Sequence, residues 1–95
     1  MSRYIIESPH TKQECLKALD EILAKGTDIL QKFEWGCFAG DHTGYAIVDS
    51  ENEAKARGLL PESQRSRARV VQVGRFTPEQ IRSLHKAACP AGEIG

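Results

Sequence analysis

Apolar residues come in short runs along this chain, and the period of each run predicts the element that holds it. Residues 4–7 are a β-type run, stopped by Ser8-Pro9-His10. Thr11-Lys12-Gln13-Glu14 matches a capping box, in which the side chains at both ends satisfy backbone N–H groups that the helix leaves unpaired. Behind it, Cys15, Leu16, Leu19, Ile22 and Leu23 recur at three- and four-residue spacing and predict a helix that Gly26 ends. Residues 30–38 read as a strand, with Phe33, Trp35 and Cys37 on one face by period two. Gly40-Asp41-His42-Thr43-Gly44 is rich in turn formers, and residues 45–49 read as the next strand, so 30–49 forms a hairpin. Ser50-Glu51-Asn52-Glu53 is a second capping box, opening a short helix that stops before Pro61. Residues 62–68 are a polar, arginine-rich loop, and residues 69–73 the last strand. Thr77-Pro78-Glu79-Gln80 starts a third helix with proline at its first position, and Ile81, Leu84 and Ala88 give it one apolar side.

The order is β-α-β-β-α-β plus a C-terminal helix, the split βαβ arrangement. It predicts an α+β, ferredoxin-like fold with a four-stranded antiparallel sheet. All 95 residues fit one domain. Its core spans residues 3–76, its last helix 77–89, and residues 90–95 are a frayed tail. The strands are apolar on both faces: Ile5 adjoins Ile6, Val70 adjoins Val71, and Ala46, Ile47 and Val48 run together. Helices cover only one face, so a second copy of the chain, or else the third helix, is expected over the other.

In this element order, over roughly residues 3–76, the chain resembles the dimeric α+β-barrel superfamily. That group includes muconolactone-isomerase-like, YciI-like and antibiotic-biosynthesis-monooxygenase-like proteins. The resemblance implies a homodimer built on ferredoxin-like units. None of the catalytic signatures of those families falls in register, so no catalytic residue is carried over.

Charge narrows the partners. Thirteen Lys and Arg balance thirteen Asp and Glu, unlike the basic footprint of a general nucleic-acid binder. No apolar run is long enough for a membrane span, and no apolar leader opens the chain. The expected setting is cytoplasmic, where the odd set of Cys15, Cys37 and Cys89 stays reduced. Expected partners are the chain itself and a small molecule, with neither nucleic acid nor membrane.

Topology gathers the reactive groups. Strands one and two run one way, and strands three and four run back. The first loop, the hairpin turn and the loop into strand four therefore share one end of the sheet. His10, Cys15, Asp41, His42, Arg65 and Arg67 lie there, with Cys37 close by. Imidazoles titrate near neutrality, so His10 and His42 are candidate proton-transfer groups, with Asp41 orienting His10. Two inter-strand spacings put the two histidines about 10 Å apart. Trp35 would wall a pocket beside Cys37, and Arg65 and Arg67 would capture an anion through guanidinium forks. The bland readings are turn residues, a solvated loop, and cysteines acting as small core hydrophobes. An alternative is chemical: His10-x4-Cys15 and Cys37-x4-His42 form a symmetric Cys2His2 set, the donors that zinc takes. The primary expectation is a small anionic or aromatic ligand, no cofactor, and folding that needs no metal. The sequence defines no reaction.

Overall fold

Alternation along the first strand sets the sheet. In β1 (Ser2–Pro9), Tyr4, Ile6 and Ser8 are buried, while Arg3 and Pro9 are exposed and Ile5 and Glu7 half-buried. Successive side chains of a strand point to opposite faces, so one face of β1 meets the core and the other does not. In β3 (Thr43–Ser50) the same alternation buries Gly44, Ala46, Val48 and Ser50. The two strands pair antiparallel with Tyr4 opposite Val48 and Ile6 opposite Ala46. β1 also pairs antiparallel with β4 (Arg69–Val73), which places Val70 opposite Ile6. The other edge is β2 (Glu34–Trp35), paired antiparallel with β3. The order across the four-stranded antiparallel sheet is β2-β3-β1-β4. The computed structural model describes residues 1–86.

Five α-helices join these strands among the described residues: α1 (Cys15–Lys25), α2 (Thr27–Gln31), α3 (Glu53–Arg57), α4 (Glu62–Arg65) and α5 (Pro78–Lys86). Ile22 of α1, Ala56 of α3 and Leu60 meet Ile6, Val48 and Val70 in one core, completed by Phe33 and Ala68. Ile6, Ile22 and Leu60 are wholly inaccessible, each burial stabilising by roughly 1.5–3 kcal/mol. Buried Gln64 ties the layers together. Its Oε1 accepts from Ser8 Oγ of β1, and its Nε2 donates to the Ala18 carbonyl of α1. No helix among the described residues is long and apolar enough to cross a membrane.

Several local expectations change. The Thr11 capping box forms as the sequence predicts, and the helix start expected at Thr77 is closed by reciprocal bonds between Thr77 and Gln80. The Ser50 box does not: Asn52 caps α3 by accepting from Lys55 N, and Ser50 Oγ donates to the Asn52 carbonyl. In α1, Ala18 and Ile22 are the buried residues, whereas Leu16 and Leu23 are 73% and 49% exposed. A helix on a narrow sheet buries a limited arc, and the i, i+4 pair at its centre wins. The strand expected over 30–38 shrinks to Glu34–Trp35. Residue 30 still belongs to α2, which begins after Gly26 at φ +141°, and Gly36–Ala39 coils into a 3-10 turn. The loop expected over 62–68 holds α4.

In the last helix, α5, every residue but Leu84 is exposed. Residues 87–89 of the expected helix, Cys89 among them, and the tail 90–95 lie outside the described residues. On the sheet face away from the core, Ile47, Ile5 and Val71 form a row. The pairs Arg3–Asp49 and Glu7–Arg69 flank it.

Trp35 lies across from Gly44 in the β2–β3 register. A Cβ on Gly44 would stand 2.6 Å from the indole ring. Gly44→Ala should therefore destabilise by about 1–3 kcal/mol through overpacking, read from the urea midpoint. An unchanged midpoint would show that the ring has other room.

Candidate metal centre

Two chain segments of the same design meet at one end of the sheet. In the first, β1 ends at Pro9 and His10 follows. The 3-10 turn Lys12–Glu14, capped by Thr11, then delivers Cys15 as the first residue of α1. In the second, β2 ends at Trp35, and the 3-10 turn Gly36–Ala39 carries Cys37. Gly40, at φ +86°, then reverses the chain toward His42 and β3. A Cβ on Gly36 would meet the Asp41 carbonyl at 2.6 Å, so this second loop needs glycine there to close. The His10 N–H donates to the His42 carbonyl at 2.9 Å, extending the β1–β3 ladder by one rung.

That rung corrects the expected separation of about 10 Å. β1 and β3 are neighbours in the sheet, and the two imidazole centroids stand 5.4 Å apart. Cys15 Sγ lies 3.7 Å from Cys37 Sγ, and Cys37 Sγ lies 3.6 Å from His10 Nε2. One ligand atom from each of His10, Cys15, Cys37 and His42 falls within 4.8 Å of all the others. Around tetrahedral zinc, with Zn–S near roughly 2.3 Å and Zn–N near roughly 2.0–2.1 Å, two sulfurs stand about 3.8 Å apart and a sulfur and a nitrogen about 3.6 Å. The Cys15–Cys37 and Cys37–His10 distances match those edges, and the remaining ones lie within 4.8 Å.

Electrostatics favours the neutral imidazole that a metal takes at His10, but works against the thiolate that Cys37 must become to bind one. Burial pushes the His10 imidazole below its ordinary pKa, with His42 and Arg67 adding to the effect and Glu14 opposing it. Burial and the neighbouring Cys15 raise the Cys37 thiol. His42 Nδ1 is buried without a hydrogen-bond partner among the described residues. Such a group costs about 1–3 kcal/mol unless something binds it.

The remaining expected residues are spread around this cluster. Trp35 stands beside His10, ring centroids 6.2 Å apart, and against Phe33 at 5.8 Å. Asp41 faces away from His10: its carboxylate accepts from the hydroxyls of Tyr45 and Thr43, which hold it below its usual pKa. Arg65 donates to the carbonyls of Leu60 and Gly58. Arg67 forks onto the Glu14 carboxylate at 3.0 and 3.4 Å and holds it down to about 2. Both guanidinium forks therefore have internal acceptors. The cavity that His10 borders, with Glu14, Gln64 and Arg67, holds about 100 Å³, well under the roughly 300 Å³ of a small-molecule site. Tyr45 as the partner of Asp41 and Glu14 as the partner of Arg67 were not legible in the sequence. The second of these pairs is 53 residues apart along the chain. No protein-family model matches the chain, and comparisons with curated proteins and with solved structures find no match.

Proposed function

We propose that this chain is a small zinc-binding module in which His10, Cys15, Cys37 and His42 hold one metal ion. The observation that carries this is the convergence of four ligand atoms, with sulfur–sulfur and sulfur–nitrogen distances at the edges of a zinc tetrahedron. Four protein donors leave no open position for substrate, so the ion clamps rather than catalyses. It joins the β1–α1 junction to the β2–β3 loop. This reading replaces the small-ligand pocket and the metal-independent folding expected from sequence. A reducing, cytoplasmic setting suits it, since both thiols must stay available.

Titration with zinc and with cobalt(II) tests the proposal. One ion per chain is expected, and the cobalt form should show intense tetrahedral d–d bands with sulfur-to-metal charge transfer. Octahedral cobalt spectra, or no stoichiometric binding by the reduced protein, would overturn it.

The fold reading extends to assembly. The order β2-β3-β1-β4 supports a ferredoxin-like unit, and the row Ile47, Ile5 and Val71 supports a second copy over the open face. Ile47 alone is 63% exposed. Sedimentation equilibrium should give a dimer for the wild type and a monomer for Ile47→Glu. A monomeric wild type would remove the second copy and leave the zinc reading untouched.

A further inference from the structure

We infer that Cys15 and Cys37 are a dithiol–disulfide couple, so that a peroxide converts the metal-holding pair into a cross-link and expels the ion. The release of zinc rests on the metal reading above, whereas the couple rests on the sulfurs themselves. Their Sγ atoms stand 3.7 Å apart. A disulfide needs about 2.05 Å, so the sulfurs must close by little more than the width of a bond. Both cysteines are half-buried rather than sealed, within reach of a small oxidant.

The far side of the turn that carries Cys37 lies at the surface, with Phe38, Ala39 and Gly40 exposed. Gly40 ends its turn, and a Cβ there would meet nothing within 4 Å. Cys15 sits on the firmer side, at the start of an eleven-residue helix. The expected motion is therefore the Gly36–Ala39 turn moving toward α1.

The chemistry balances with hydrogen peroxide as the oxidant. One thiolate attacks the peroxide, the O–O bond breaks, and the sulfur becomes a sulfenic acid. The second thiolate displaces hydroxide from that sulfur and forms the S–S bond. Two electrons pass from the sulfurs to the peroxide, and two protons complete two molecules of water. With both thiolates consumed, only two imidazoles remain for the ion, and it dissociates. A thiol reductant reverses the bond and restores the site.

The test uses the full chain carrying Cys89→Ser, which removes the third thiol from competition. The zinc-loaded protein is treated with hydrogen peroxide while a chromogenic chelator reports free zinc and intact mass spectrometry reports the chain. The expected result is release of one zinc per chain together with loss of two hydrogens. Peptide mapping should place the bond between residues 15 and 37, and reduction should restore zinc binding. Mapping reads the unsubstituted pair, so the test stands even if Cys15→Ser or Cys37→Ser fails to fold. Oxygen added to either sulfur without a cross-link, or no change under conditions that oxidise free cysteine, would overturn the couple. A cross-link in protein that never takes up zinc would retain the couple and remove the metal reading. Zinc binding without a cross-link would do the reverse.

Discussion

Stripping zinc from the protein is expected to lower its melting temperature by roughly 15–30 °C. An ion that binds only the folded chain stabilises it by about 4.1 kcal/mol at a free concentration one thousand times its dissociation constant. In a domain of this size each kcal/mol moves the melting temperature by about 4–8 °C. The effect is large because the metal ties the Cys37 turn, anchored on one side by a two-residue strand, to the end of β1 and the start of α1. His10→Ala, Cys15→Ser, Cys37→Ser and His42→Ala should each lose most of the zinc-dependent gain. His85→Ala, exposed on α5, should lose none. Thermal unfolding with and without a strong chelator checks this. A shift of under about two degrees, in protein shown by elemental analysis to have carried zinc, would mean that the ion does not hold the fold.

Replacing Ile6 by Ala should cost about 2–5 kcal/mol, and by Val only about 0.5–1.5 kcal/mol. Ile6 is fully buried on the central strand, with Ala46 on one side and Val70 on the other. Neither neighbour is large enough to fill the space that the lost atoms leave, so the cavity adds to the lost transfer free energy. A domain of this length has only about 5–14 kcal/mol in total, so Ile6→Ala takes a large share of it. Urea unfolding reads the difference. A loss below about 1 kcal/mol would show that the core collapses onto the gap.

Much of the scaffold was legible because it follows from local rules. The Thr11 box, the helix start at Thr77, the end of α1 at Gly26 and the bounds of β4 each need only a few neighbouring residues. Period two was misleading at Phe33, Trp35 and Cys37. One residue precedes a strand, one lies in it and one is in the turn beyond, yet they still alternate in sequence. Of the site, the sequence exposed the matched spacing of the two His/Cys pairs and the end of the sheet where they lie. It did not expose how near the pairs come. The ferredoxin-like order already sets β3 beside β1, but the two inter-strand spacings expected between the histidines are only one, because His42 leads into β3, one spacing from His10. Asp41 and Arg67 were misread because a charged side chain takes whichever partner the fold brings to it, here Tyr45 and Glu14.

The central position of β1 has a consequence for synthesis on the ribosome. Of the four strands, the first to emerge is an internal one that needs partners on both edges: residues 43–50 on one side and 69–73 on the other. Its backbone groups on the β4 side therefore wait until residue 73 has been made. Until residue 50 is made the nascent segment is an apolar strand with two open edges, and until residue 73 it keeps one, the kind of template on which other chains add. The hazard lasts longest on the β4 side, because Val70 is among the later core residues to be translated. Slower elongation between residues 50 and 69 would lengthen that exposure, whereas slower elongation after residue 73 would not.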